Sequence, residues 1–460
     1  MEPRASCALL GLLALASLAS EALSGASADR EYLNPLTKLA FGSCNDPRSE
    51  NPVWQALSDA EPDAFAWLGD CVYADTLVNG VSTHAGIFNH ERLFHAVRND
   101  HQYQRVLNRT TAIIGTMDDH DYGVNDCGKR ELSGIGESTR QLFLDFLGEP
   151  SSSFLRQRDG IYGSFDFGPP GRQAKIVVLD TRYNRDDLDS GGQMLGEHQW
   201  RWLNNTLTHS HADVHIVVSS ILVLEAHLVR LFGLERKVEG WWRFPHEKQR
   251  LMHRLSTVSG VVLLTGDVHH GTLHSAPPGC ELPYELNELT SSGMTHTILY
   301  ENAHYESNAT KLSSLPTWLR RVFVTDNDYF AAWPASPAPF IGFNFGTVKI
   351  DWEQRTIRLA VHDTTGEERL AKSLPIDRLL PNAAHKENHQ SLCAHPLSNL
   401  RLQYVARILA RLLRSLFRSW ISAVVLQSIA LLWLTLGITI RWRYNTLQTL
   451  RNLAVQCHCK

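Results

Sequence analysis

The sequence predicts an α/β domain flanked by two segments of different character. Three observations carry that expectation. Strand-length apolar runs, several rich in branched residues, recur along the chain. Polar–apolar mixtures of helical length lie between them. Nearly every run ends in a polar cluster. Such alternation builds sheets covered by helices.

In order, the strand candidates are residues 38–41, 64–68, 111–114, 175–179, 215–218 and 261–264. Residues 193–207 and 247–255 are helix candidates. No repeat of solenoid period is present, so residues 38–385 form one domain. Of the 460 residues, 43% are apolar and 20% charged, a globular composition. The net charge of −4 argues against nucleic-acid binding. An anionic substrate then needs a local cation, which a bound metal supplies.

The two ends differ from this body. Residues 1–28 read as a signal peptide: Arg4, a charge-free apolar stretch over 8–19, and Ala26-Ser27-Ala28 as a small-residue cleavage pattern. Glycan acceptor patterns at Asn108, Asn204 and Asn308 fit that compartment weakly. Cys71, Cys127, Cys280 and Cys393 could pair there in several ways. Residues 421–440 are uncharged and mostly apolar, and a transmembrane helix is expected over 420–440; a buried core helix is the other reading. Arg407, Arg411, Arg414 and Arg418 recur at helical spacing in 398–419, a basic amphipathic helix for the membrane surface or for packing on the domain. The signal would place the domain in the lumen or outside, and residues 441–460 as a short cytosolic tail.

The chemistry gathers where strands end. Phe41 leads to Gly42-Ser43-Cys44-Asn45-Asp46, and Leu68 to Gly69-Asp70-Cys71-Val72-Tyr73-Ala74-Asp75. Ile114 leads to Asp118-Asp119-His120-Asp121, Leu179 to Asp180-Thr181-Arg182, and Leu264 to Gly266-Asp267-Val268-His269-His270. Carboxyl ends of strands are where α/β folds bind ligands. Carboxylate, imidazole, thiolate and phenolate together suit a transition metal beside a harder ion. Two such ions would clamp a phosphate and generate hydroxide at neutral pH. Alone, a Gly-Asp after a strand is a turn and a lone Cys44 a small buried hydrophobe. Three carboxylates around His120 need neutralising cations or protons unless they form a solvated loop.

In this order, the motifs resemble the PhoD-like phosphatases, a branch of the calcineurin-like metallophosphoesterases. The matching runs also include Asp121-Tyr122-Gly123 with Asn125-Asp126, Glu288-Leu289-Thr290-Ser291-Ser292-Gly293 and Phe343-Asn344-Phe345-Gly346. The resemblance implies a four-layer αββα sandwich and a site holding ferric iron and calcium. It implies that Asp70 bridges the metals, that Cys44, Tyr73 and His269 ligate iron, and that Asp119 and Asp267 ligate the second metal. Asp119 and Asp267 stand where most of the superfamily has Asn and His, and hard oxygen favours calcium over zinc. The expected reaction is hydrolysis of a phosphate mono- or diester by a metal-bound hydroxide. His120 would donate to the leaving oxygen or orient Asp119. Arg182 would grip phosphate or bridge to Asp180 or Asp187, and Asn125 would reach the site or cap a turn. The tail and Trp241-Trp242 raise a lipid-type phosphodiester as another substrate, with plain core packing as the other reading of those tryptophans. A membrane-anchored binding protein without activity is the third reading.

Overall fold

The computed structural model describes residues 29–79, 81–188, 190–224, 239–297, 337 and 339–381. Its strands run β1 (Arg30–Tyr32), β2 (Lys38–Gly42), β3 (Ala64–Leu68), β4 (Asp75–Val78), β5 (Val81–His84), β6 (Ala112–Thr116), β7 (Gly163–Phe167), β8 (Ala174–Val178) and β9 (Val214–Val218). They continue with β10 (Val261–Thr265), β11 (Gly271–Ala276), β12 (Leu286–Ser291), β13 (Phe345–Asp351), β14 (Thr356–His362) and β15 (Glu368–Pro375). The helices are α1 (Trp54–Asp59), α2 (Ile87–Asn99), α3 (His101–Arg109), α4 (Asp119–Tyr122), α5 (Gly136–Leu147), α6 (Gly196–Thr208) and α7 (Pro245–Leu255).

The result is a mixed α/β fold with three sheets. A seven-stranded sheet has the order β1-β7-β8-β9-β10-β12-β11, and a six-stranded sheet the order β15-β14-β13-β2-β3-β6. Its parallel centres are β8-β9-β10-β12 in the first and β2-β3-β6 in the second. Apart from β12, whose Leu286–Ser291 carries no continuous apolar run, these are the strands that the apolar runs predicted, because strands covered on both faces read as continuous hydrophobic stretches. The third sheet is the β4–β5 hairpin, whose turn carries Asn79 at φ 54° ahead of Gly80.

The alternation of β3 shows how the layers form. Ala64, Ala66 and Leu68 join one core with Phe41 and Val348 of the same sheet and with Val177, Ile216 and Leu263 of the other. Phe65 and Trp67 point the opposite way, under Trp54, Leu93, Phe94, Tyr103 and Phe146 of the covering helices. Trp200 and Leu203 of α6 and Leu251 and Leu255 of α7 cover the seven-stranded sheet within the first core. Asp100 caps α3 by accepting from the amides of Gln102 and Tyr103.

Two expectations change here. Cys71 and Cys127 are free and buried, whereas Cys280 is disulfide-bonded, so the four-cysteine pairing set does not hold. Trp241 is fully buried, with its Nε1 donating to Ser219, and belongs to the core rather than to a lipid-facing surface. The calls on residues 1–28, Asn308, Cys393, 398–419, 420–440 and 441–460 lie outside the described residues. Among the described residues, no helix is long and apolar enough to cross a membrane.

Candidate metal centre

Both parallel sheet centres deliver loops to one crevice. Cys44 follows β2, Asp70 and Tyr73 follow β3, and Asp118 to His120 follow β6. Asp267 and His269 follow β10, and Ser292 follows β12. The loops are tied backbone to backbone: the Asn45 amide donates to the Asp70 carbonyl at 2.8 Å, and the Gly266 amide to that of Ser220 at 3.0 Å. Asp121 joins two more loops, accepting from the amides of Val72 and Asp118, each at 3.0 Å.

The cost of this convergence is visible in the backbone. Cys44, Asp70, Asp267 and His269 adopt φ of 59°, 48°, 73° and 57°. Side-chain-bearing residues seldom enter this left-handed region, and they gather at functional sites when they do. Gly69 is required between β3 and Asp70: at φ 93°, a Cβ there would lie 2.5 Å from the Cβ of Asp118.

Three overlapping clusters result. They are Cys44–Asp70–His269, Asp70–Asp119–His120 and Asp118–Asp119–Asp267, with the ligating atoms of each within 4.8 Å of one another. Sharing Asp70 and Asp119, they form one continuous chain of donors. The Tyr73 hydroxyl joins it at 3.3 Å from both Asp70 Oδ2 and His269 Nε2. The structure therefore brings together Cys44, Asp70, Tyr73, Asp119, His120, Asp267 and His269.

The donor set fits cations. Asp70 Oδ1, Asp118 Oδ2 and Asp119 Oδ1 are buried oxygens without a hydrogen-bond partner. Buried polar groups are otherwise almost always satisfied. Burial pushes the carboxyls of Asp70 and Asp267 well above the usual range and that of Asp118 up to about 6. Positive charge in the crevice is what would keep them ionised. Asp119 is the exception: against burial, Arg182, His120 and the Asp126 amide hold it below the usual range. Burial and the neighbouring His120 bring His269 down to about 4, leaving it neutral.

Two contacts bear on the role of the His120 ring. Its Nδ1 lies 3.0 Å from Asp75 Oδ1, and its ring packs 4.3 Å from that of Tyr73. Burial works against its proton, but Asp119, Asp70 and Asp75 raise its pKa well above the ordinary value. Asp75 in turn accepts from Ser82 Oγ at 2.7 Å. The half-buried Asn125 meets this group through its backbone, its amide donating to Ser82 Oγ at 2.9 Å.

Arg182 is fully buried, with its Nε donating to Asp118, its Nη1 2.6 Å from Glu239 and its Nη2 3.7 Å from Asp119. The expected bridge to Asp180 or Asp187 does not form. Asp180 accepts from the Arg182 backbone amide, and Asp187 pairs with Arg130 at 2.6 Å. Asp180 is buried but already satisfied by the amides of Ile161, Arg182 and Tyr183 and by the Tyr122 hydroxyl, so the guanidinium goes to buried carboxylates that have fewer such donors.

Sequence reasoning missed Glu239, Ser292 and His296. Ser292 Oγ lies 2.9 Å from Cys44 Sγ, and His296 Nε2 lies 2.7 Å from the Tyr73 hydroxyl. Both sit in or just beyond the run Glu288 to Gly293, the signal that could have found them. Glu239 carries no local signal.

The sequence matches the family model of the PhoD-like phosphatases over residues 39–331. No curated protein matches it. Among solved structures, one described as the structure of PhoD is similar at a TM-score of 0.54 and 16% identity. It covers 75% of this chain and 69% of its own. GAP50, described as the anchor in the inner membrane complex of Plasmodium, aligns at a TM-score of 0.44 and 10% identity. That alignment covers 79% of this chain and 96% of that one.

Proposed function

The chain belongs to the PhoD-like phosphatases and is a phosphoesterase, and from that premise we propose that it hydrolyses phosphate mono- or diesters in the crevice between the two parallel sheet centres. The observation carrying this reading is the set of orphaned oxygens on Asp70, Asp118 and Asp119, buried within one chain of donors. Cys44, Tyr73, His269 and Asp70 would hold a ferric ion, for which thiolate, phenolate and imidazole are suited. Asp70, Asp119 and Asp267 would hold calcium through oxygen alone. The αββα layering belongs to the same reading, supported by the shared core and the helices over both sheets.

Bound ions there supply positive charge for the phosphate oxygens and acidify water. The chain's own residues do the rest. His120, kept protonated by Asp119, Asp70 and Asp75, donates to the leaving oxygen. Asp75 aims the imidazole. Arg182 neutralises Asp118 and keeps the acidic wall in place. Asn125 is a substrate contact from the half-buried loop beyond α4.

Replacing Asp70 by Asn tests the reading. Ester hydrolysis should be abolished and bound metal reduced. Full activity in that variant would overturn it.

Sequence pattern also supports a secretory, single-pass protein with residues 1–28 as signal and 420–440 as span, flanked by 398–419 and 441–460. The disulfide at Cys280 suits an oxidising compartment. Protease protection of the domain in sealed microsomes is the expected result. Digestion of the domain without detergent would sink this topology.

A further inference from the structure

His296 is buried against Tyr73. Its Nε2 lies 2.7 Å from the phenol oxygen, and its ring stands edge-on to Tyr73 and His269, at 4.8 and 4.4 Å. On its far side, Nδ1 lies 3.1 Å from Thr295 Oγ1. That hydroxyl is itself fixed: it accepts from the Asp46 amide at 2.7 Å and donates to the Cys44 carbonyl at 3.1 Å. Tyr73, His296, Thr295 and Cys44 thus form one hydrogen-bonded chain. Its two ends are residues assigned above to the same ion.

The chain works in either direction. As a phenol, Tyr73 donates to His296 Nε2. A neutral imidazole then carries its proton on Nδ1 and donates to Thr295, whose own proton goes to the Cys44 carbonyl. As a phenolate, Tyr73 can only accept. The imidazole then carries its proton on Nε2, and Nδ1 accepts the Thr295 hydroxyl. The Cys44 carbonyl keeps its other donor, the Thr295 amide at 3.2 Å. Both arrangements satisfy every group with a neutral ring. They differ by the one phenolic proton, which leaves to solvent.

We infer that His296, aimed by Thr295, is the positioning residue that hydrogen-bonds the Tyr73 phenolate and holds it as a ligand. The inference rests on the assignment of Tyr73 in the proposed function. Asp70 Oδ2 and His269 Nε2, both 3.3 Å from the phenol oxygen, are themselves assigned as ligands and are drawn to the ion. His296, at 2.7 Å, is nearer to that oxygen than either and is not itself assigned to the ion.

The test is optical, on the full-length chain loaded with ferric ion. A phenolate on ferric iron gives a visible charge-transfer band. A hydrogen bond to the phenolate stabilises the donor electrons, so its loss lowers the transition energy. His296→Phe should move the band to longer wavelength, and His296→Gln, whose amide N–H can reach the same oxygen, should move it back. Thr295→Val should shift it in the same direction as His296→Phe and carries the test if that variant fails to fold. An unmoved band in either variant, or no return with Gln, overturns the inference. A colourless iron-loaded wild type, or a band that survives Tyr73→Phe, overturns the Tyr73 assignment itself and the His296 role with it.

Discussion

His120 Nδ1 lies 3.0 Å from Asp75 Oδ1, where the crevice meets the first strand of the β4–β5 hairpin. The contact gives Asp75 a defined task, because its second oxygen is occupied by Ser82 Oγ at 2.7 Å. The carboxylate therefore fixes the imidazole's orientation as well as its charge.

It follows that His120→Gln should lower kcat by about 10²–10⁴-fold, the usual worth of a positioned acid. Asp75→Asn keeps the shape but removes the charge and should lose less. The two losses should not add, since both act on one proton. Esters with good leaving groups should suffer least. Steady-state rates on esters of graded leaving-group acidity check this; equal losses across the series would remove His120 from the leaving-group side.

Arg182→Met should destabilise the domain by about 3–5 kcal/mol, because Asp118 and Glu239 would be left buried without their cation. Urea unfolding followed by tryptophan fluorescence measures it. If Arg182 instead grips substrate phosphate, the variant will raise KM and leave the unfolding midpoint in place.

The parallel centres of both sheets were legible in the sequence except at β12, since the other strands there are largely apolar on both faces, whereas β12 carries Asn287, Glu288 and Thr290. The antiparallel edge was not. β15 alternates exposed and buried residues along Glu368–Pro375 and lacks a continuous run. The candidate ligands were legible because each strand end carries several chemistry-bearing residues at once. Glu239 was hidden for the opposite reason: it meets Arg182 only after folding, across 57 positions of chain and with no motif around it. The left-handed backbone at Cys44 and Asp70 was hidden too, because side-chain type gives little warning of positive φ outside Gly and Asn. Asp118-Asp119-His120-Asp121 read as a ligand cluster at a strand end, with a solvated acidic loop as the other reading. The helical turn inside it depends on Asp121 accepting the Asp118 amide, with Gly123 closing the turn at φ 90°.

Gly69→Ala should disturb the site more than the fold. The added methyl meets the Cβ of Asp118 at 2.5 Å in a backbone conformation that already disfavours a side chain. A cost of about 1–3 kcal/mol is expected from overpacking, together with lower metal content. Gly171→Ala is the control: its φ of 84° carries the same strain, but nothing lies within 4 Å of the new methyl. Metal quantitation on both variants separates crowding at Asp118 from backbone strain alone.

The amino end of β9, at the centre of the seven-stranded sheet and away from the crevice, predicts a pH dependence of its own. His215, on β9, is buried with Nδ1 donating to the Ser259 carbonyl at 2.6 Å and Nε2 accepting from Ser210 Oγ at 2.8 Å. The neutral ring satisfies both partners, and burial is what disfavours the charged one. Burial, with Lys175 nearby, brings the pKa down to about 4 from an ordinary value near 6.5. Between those two values the unfolded chain binds a proton that the folded chain refuses, so stability rises with pH across the window. The contribution is complete above about 6.5 and is lost as pH falls toward 4, amounting to at most about 3 kcal/mol at ~1.4 kcal/mol per unit. His90, which burial also brings down to about 4, acts in the same direction. His215→Gln should therefore flatten the dependence of the urea midpoint between pH 4.5 and 7 without abolishing it. A variant slope as steep as the wild type's would mean that His215 titrates normally in the folded chain.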